Sequence, residues 1–367
     1  MKIAYIVQQI TDEIIKQRNN SKNRSYAGLQ KSNGIKKLLQ DCNYEVKIYS
    51  PSIVSNDTKK FFKSFYEKDI FHASVLDRKW LNFLSTIFSL IKELFKNRKN
   101  FDKIIYYNYS PEIAIPAFFC KIFLNKKIYL EYEDGLDKNE GLRGEVYTFM
   151  KFFAKILSDG YILVNENLIY ELNDKPYMVA NGVFDWGLLQ KAQNKGLISN
   201  KKKIMITYSG KISDYFGGYE LLDYIKNLPK NCELHISGYY WESSIEIEKY
   251  IKENNLKNIF WYGLLDDDKY NQLLKDTDYF LLLNEGESKY KDTNFPSKLF
   301  VYLSTLKPTI STKKLDYGLS KKCYKYIEKV EDIKKLKLQK NDFYEFKEIE
   351  FIYNKQKEDI KKLLEQE

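Results

Sequence analysis

The chain has 367 residues, 44% of them apolar, 16% aromatic and 30% charged, which suits two globular domains with sizeable cores. Only 7 Pro and 16 Gly, set against that aromatic content, exclude collagen-like, low-complexity and largely disordered chains. The formal charge is +10, but among 60 basic residues Arg stands only at 18, 24, 78, 98 and 143; so strong a Lys bias is weak evidence for nucleic acid and fits equally an AT-rich genome, anionic substrates or an anionic membrane face, and no nucleic-acid partner is expected.

The first half alternates strand-like and helix-like segments. KIAYIV (2–7) is a β-branched and aromatic run that predicts a buried strand. A polar stretch, 17–24, leads into a predicted helix over 26–39 with Leu29, Ile35, Leu38 and Leu39 as apolar positions. Strands follow at 43–50, 103–110 and 127–134, with a helix over 113–123 between the last two. Strands at 160–165 and 177–183 close the half. This βαβ order predicts a parallel sheet covered by helices on both faces.

A polar stretch over 190–200 marks the expected domain boundary. A second series then begins: strand 203–210, helix 219–227, strand 232–239, helix 244–254, strand 258–263, helix 267–276, strand 279–284, a helix from Pro296, and strand 308–312. The expected fold is α/β: two Rossmann-like doubly wound domains, 1–190 and 200–345, with a cleft between them. A charged C-terminal helix over 346–367 packs back on the first domain.

Residues 80–95 (WLNFLSTIFSLIKELF) bear two readings. Trp80, Leu84, Ile87, Phe88, Ile91, Leu94 and Phe95 recur at helical spacing, and Arg78, Lys79, Lys92, Lys96, Arg98 and Lys99 lie at or near the ends. Such a helix either packs in the core with solvated basic ends or lies on an anionic membrane surface.

Cys42, Cys120, Cys232 and Cys323 are far apart, and His72 and His235 are the only histidines, so no metal site is expected and the thiols read as core residues in a reducing compartment. MKIAYIVQQI turns polar too soon for a signal peptide, and no long uncharged apolar run is present. The expected location is the cytoplasm.

Three strand ends carry candidate chemistry. In TYSGKISDYFGG (207–218), glycines let a ligand approach the backbone and Lys211 adds positive charge. In the segment 284–312, Asn294 can cap a helix, Pro296 suits its first turn, and Ser297 and Lys298 follow. A Lys in a first helical turn costs ~0.3–1 kcal/mol unless an anion compensates, which points to a diphosphate seat. In LEYEDGL (130–136), Glu133 and Asp134 end a strand beside Asn108 and Tyr109, where one carboxylate could orient or deprotonate a hydroxyl.

Together these pieces resemble the retaining glycosyltransferases of the GT-B fold, family 4, of the kind that builds bacterial surface polysaccharides. NGVFD (181–185), YSGKISDYFGGYELL (208–222), NIFWYGLLDDDKYNQLLKDTDYFLLLN (258–284) and FPSKLFVYLSTLKPTIST (295–312) carry the resemblance. It implies transfer of a hexose-type sugar with retention, from a nucleotide diphosphate sugar to a lipid-linked or polysaccharide acceptor, in capsule, O-antigen or exopolysaccharide synthesis. No metal or cofactor is implied. The second domain would hold the donor through Ser209, Gly210, Lys211, Gly238, Leu264, Leu265 and the run Asn294, Phe295, Pro296, Ser297 and Lys298. Lys211 and Lys298 would stabilise the leaving diphosphate. Asn108, Tyr109, Glu133 and Asp134 would serve the acceptor, with peripheral contact to the anionic inner membrane.

The sequence departs from the family at four points. The histidine common at the first domain's catalytic strand end is absent, and Tyr132-Glu133-Asp134 stands there. Phe216 replaces the second basic residue of the glycine loop, and Thr293 and Val301 replace a glutamate pair whose second member holds the ribose. Two alternatives follow: a catalytically degenerate protein that partners another transferase, or a sugar-nucleotide epimerase of the same fold.

Overall fold

The computed structural model describes residues 1–18, 26–53, 58–133, 141–195, 202–214, 217–241, 243–283, 296, 298–315 and 318–366. The chain divides into two compact units, one holding Met1–Val183 and Lys355–Glu367, the other Phe184–Asp292 and Pro296–Asn354.

Among the described residues the first unit contains ten strands: β1 (Lys2–Ile6), β2 (Glu45–Ser50), β3 (Phe61–Phe62), β4 (Phe65–Glu67), β5 (Ile70–His72), β6 (Val75–Leu76), β7 (Lys103–Tyr107), β8 (Lys127–Tyr132), β9 (Gly160–Leu163) and β10 (Tyr177–Val179). Its helices are α1 (Asp12–Arg18), α2 (Tyr26–Asp41), α3 (Lys79–Lys96), α4 (Pro111–Leu124) and α5 (Gly141–Leu157). Eight strands form one sheet in the order β10-β9-β8-β7-β1-β2-β5-β4, parallel except for β4, which runs antiparallel to β5. Ile3, Tyr5, Ile104, Tyr106, Ile128 and Leu130 are buried, as expected of strands covered on both faces.

The second unit contains α6 (Trp186–Lys195), β11 (Ile204–Ile212), α7 (Gly218–Asn227), β12 (Cys232–Tyr240), α8 (Ile247–Glu253), β13 (Ile259–Trp261), α9 (Asp267–Asp276), β14 (Tyr279–Leu282), α10 (Lys298–Leu303), β15 (Thr309–Ser311) and β16 (Tyr324–Tyr326). Its sheet runs β13-β12-β11-β14-β15-β16, all parallel. That is the dinucleotide-fold order, with the reversal between β11 and β14 where ligands bind such sheets. Ile206, Leu234, Ile236, Leu281 and Ile310 centre its core. The last helix, α11 (Lys347–Glu365), begins in this unit and ends in the first.

Several predicted elements shift: the strands expected over 103–110 and 127–134 end at Tyr107 and Tyr132, and the helix expected over 244–254 is Ile247–Glu253. The strand expected over 177–183 stops at Val179, the helix expected from Pro296 starts at Lys298, and the C-terminal helix begins at Lys347. Residues 181–183 are irregular backbone locked inside the first unit: Asn181 donates to the Val164 carbonyl at 2.9 Å, Gln356 to the Gly182 carbonyl at 2.9 Å, and Val183 fills the space a Cβ on Gly34 would occupy. In α3 the apolar face is divided between two flanks. Ile87, Leu90 and Leu94 are buried, while Trp80, Leu84, Phe88 and Phe95 are exposed. Among the described residues no helix is long and apolar enough to cross a membrane.

Candidate functional site

In the second unit, β11 and β12 are nine residues long and pair in register from Ile204 with Cys232 to Ile212 with Tyr240. Their outer neighbours β13 and β14 pair over two or three residues only, so the β11–β12 ribbon runs on past the carboxyl end of the sheet. Gly210 and Gly238 face each other where it leaves, with φ of +143° and +157°. A Cβ on Gly238 would overlap the Gly210 carbonyl oxygen and stand 2.8 Å from its carbon, so only glycine lets the two backbones approach this closely.

Lys298 opens α10, and its side chain lies against Gly210. A Cβ there would overlap the Lys298 Nζ and Cε and stand 3.4 Å from its Cδ. The ammonium also sits 5.0 Å over the Tyr208 ring. Lys211 follows Gly210 directly, its ammonium 5.7 Å from the half-exposed Trp241 ring. The structure thus brings Gly210, Lys211, Gly238 and Lys298 to one end of the sheet. Leu264 joins them: the Gly263 carbonyl accepts from Gly238 N–H at 2.9 Å and from the Ser237 hydroxyl at 3.1 Å, leaving Leu264 exposed and Leu265 half-buried beside it.

Ser209 lies beneath this surface. Its hydroxyl is 3.1 Å from both the Tyr270 and Tyr302 hydroxyls, and its N–H donates to Tyr302 at 3.2 Å. Tyr302 is fully buried and stacks on Phe280 with ring centroids 4.3 Å apart. Burial raises both tyrosine hydroxyls above their ordinary pKa, which keeps them neutral donors. Pro296 is buried, and its carbonyl accepts from Leu299 N–H at 2.9 Å. Asn294, Phe295 and Ser297, with Thr293 and Phe216, lie outside the described residues.

The first unit assembles a separate polar cluster at the carboxyl ends of β7 and β8. Glu133 follows β8, and its N–H donates to Asn108 Oδ1 at 2.9 Å. Asn108 takes φ +52°, and its own N–H donates to the Glu131 carbonyl at 2.7 Å. Lys31 of α2 reaches across with Nζ 2.7 Å from Glu133 Oε1 and 3.6 Å from Glu131 Oε1. The Tyr107 hydroxyl donates to Glu133, and the Tyr5 hydroxyl to Glu131. Glu131 is 1% exposed; burial raises its carboxyl pKa, while Lys31 and the Tyr5 hydrogen bond pull it down. Glu133 is the partly accessible carboxylate, its side chain 18% exposed. Asn108 is buried, and Tyr109 is wholly buried against Tyr132. Asp134 lies outside the described residues.

Sequence reasoning missed Lys31, Glu131 and Trp241. A signal for Glu131 existed: a carboxylate within KIYLEY, otherwise a buried strand, demands a cation or donors. Among the described residues no three His, Cys, Asp or Glu side chains come together as a metal-binding set.

A second buried cluster flanks β5. His72 Nδ1 is 2.7 Å from the Ser52 hydroxyl, its Nε2 is 3.2 Å from Glu67 Oε2, and its ring stacks on Phe65. Arg18 donates to the Ser52 and Ala73 carbonyls. Burial lowers the His72 pKa to about 4, with Glu67 opposing and Arg18 reinforcing the shift.

No family model matches the chain, and no curated protein matches it in sequence. Solved structures do match. The lipopolysaccharide outer core galactosyltransferase WaaB, in its apo form, is similar over 99% of both chains, with a TM-score of 0.57 at 14% identity. TarM is similar over 98% of this chain and 95% of its own, with a TM-score of 0.52 at 11% identity. Sucrose-phosphate synthase (tll1590) from Thermosynechococcus elongatus is similar over 99% and 94%, with a TM-score of 0.50 at 11% identity. With its two α/β units and parallel sheets, the chain has the GT-B fold.

Proposed function

We propose that the protein is a retaining, family 4 glycosyltransferase that moves a hexose-type sugar from a nucleotide diphosphate sugar to a lipid-linked or polysaccharide acceptor. The pathway class is bacterial surface polysaccharide synthesis, and the location is the cytoplasm at the inner membrane surface. The observation that carries this reading is the seating of Lys298 against Gly210, one residue from Lys211, at the carboxyl end of a dinucleotide-order sheet. Two structural neighbours accord with it: the galactosyltransferase WaaB, and HepE from Anabaena in complex with UDP and glucose, with a TM-score of 0.50 at 12% identity over 91% of this chain and 88% of that one.

In this mechanism the two lysines neutralise charge that develops on the leaving diphosphate, a fixed electrostatic contribution needing neither metal nor cofactor. Gly210 lets the phosphates approach backbone, with Ser209 supporting the seat from beneath and Gly238 letting the two strands close together; Leu264 and Leu265 border the base, with Asn294, Phe295, Pro296 and Ser297 completing the donor seat. Glu133, held in place by Lys31, Tyr107 and Asn108, orients the acceptor hydroxyl or takes its proton, with Asp134 as the alternative carboxylate. Tyr109 backs this site from inside.

Val301 favours a second reading, a degenerate fold that partners another transferase, because an aliphatic side chain cannot hold ribose hydroxyls. One experiment separates the two. The purified chain is incubated with a panel of nucleotide sugars and products are analysed for hydrolysis or transfer with retained anomeric configuration. Turnover that falls at least 100-fold in both Lys211→Ala and Lys298→Ala supports the transferase. Turnover unchanged in either variant refutes the mechanism, and no turnover together with no nucleotide-induced thermal shift puts the degenerate reading first.

A further inference from the structure

Helices α3, α4 and α5 pack side by side on the first unit's sheet, with α4 touching both others. Their inner sides join the core through Leu90, Ala117, Phe118 and Met150. Their outer sides are apolar as well. Half of the exposed large hydrophobic side chains among the described residues lie on these three helices. Trp80 is 72% exposed, Phe88 69%, Phe123 71% and Phe149 61%. On α4 and α5 aromatic rings adjoin one another: Phe119 contacts Phe123 on α4, Phe118 of α4 meets Phe153 of α5, and Phe153 touches both Phe149 and Phe152. A soluble surface rarely carries so large an apolar area without a partner.

Charge identifies the partner. The cations Lys79, Lys92, Lys96, Arg143 and Lys155 on α3 and α5 outnumber the anions Glu93 and Glu145; Lys151 is largely buried and paired with Glu171 at 2.6 Å. Glu93 accepts from the Tyr66 hydroxyl and the Asn97 amide, so it is engaged by its own unit. A second copy of the chain, docked by the same face about a two-fold axis, would lay this cationic surface against itself. An anionic bilayer satisfies both features, taking the aromatic and aliphatic side chains below its headgroups and the lysines among them.

We propose that the outer faces of α3, α4 and α5 seat the first unit on an anionic lipid bilayer. This names the surface behind the membrane-facing part of the proposed function and rests on that reading only for its biological sense, since lipid binding is read without any sugar donor. Failure of one therefore leaves the other standing.

The test is flotation of the full chain with vesicles of phosphatidylcholine alone and of phosphatidylcholine with 30% phosphatidylglycerol. The expected result is binding at least 10-fold tighter to the anionic vesicles, and a further loss of at least 10-fold in Phe149→Ser/Phe152→Ser. Both rings are more than half exposed, so that variant keeps the wild-type melting temperature; Phe88→Ser provides a second, independent readout if it does not. Three results overturn the proposal: no binding of folded wild type to anionic vesicles, binding that salt abolishes and the serine variants leave untouched, or a wild-type dimer that the serine variants dissociate.

Discussion

Replacing Gly210 by alanine adds a single methyl group where the donor seat is tightest. At φ +143° a Cβ strains the backbone by ~1–3 kcal/mol. The methyl group also overlaps Nζ and Cε of Lys298, the far end of a flexible side chain, so the protein yields by moving the lysine rather than by unfolding. A lysine displaced from a bound diphosphate forfeits a charge-assisted hydrogen bond of ~1.5–3 kcal/mol, a weakening of about 10- to 150-fold at 1.4 kcal/mol per decade. Thermal unfolding against a nucleoside diphosphate reads this directly. At 100 times the wild-type Kd the ligand stabilises the fold by about 2.7 kcal/mol; after a 100-fold loss of affinity the same concentration gives about 0.4 kcal/mol. Lys298→Ala should show the same collapse without the backbone strain. A folded Gly210→Ala protein that keeps the full nucleotide-induced shift would falsify the placement of Lys298 in the phosphate seat.

Two further outcomes test the first unit. Lys31→Met leaves the buried Glu131 carboxylate with Tyr5 alone, so urea unfolding should report a loss of about 3–5 kcal/mol, partly restored by adding Glu131→Gln; a loss under about 0.5 kcal/mol, the range of ordinary surface substitutions, rules out the pairing as drawn. His72 titrates near 4 in the fold and near 6.5 unfolded, so below pH 6.5 the unfolded chain binds more protons. Its contribution is complete above pH 6.5 and disappears as pH falls toward 4, at up to about 1.4 kcal/mol per pH unit. Urea titrations of wild type and His72→Gln between pH 4 and 7 should therefore converge in slope only above pH 6.5, and parallel pH profiles throughout would contradict the buried neutral imidazole.

Much of the alternating architecture could be read from residue order because parallel strands covered on both faces appear as apolar runs, and KIAYI, KIIYY, KIYLEY and YFLL all fall inside observed strands. The region 61–76 could not be read that way. Its strands β3 to β6 are two or three residues long, too short for alternation to register. Helices α1 and α6 were hidden for another reason: they lie in or beside segments whose polarity resembles a loop. Glu133 was visible as a carboxylate at a strand end, whereas its partner Lys31 was not, because a salt bridge spanning a hundred residues leaves no local pattern. The exposed flank of α3 shows the limit of periodicity: spacing located the apolar face but could not say how much of it the neighbouring helix covers.

Helix α11 ties the completion of the first unit to the order of synthesis. Ile360, Leu363 and Leu364 are buried; Leu363 packs against Gly160, Tyr44 donates to Glu365, and Lys103 donates to the Leu364 carbonyl. On a ribosome, residues 184 to 354 must be made before those side chains exist. At ~5–20 residues per second the first unit waits roughly 10–35 s with one flank of its core open. During that interval Gly160 at the start of β9, Lys103 of β7 and Tyr44 lack their covering helix, which makes the nascent first unit a client for chaperones until the last turns of α11 emerge.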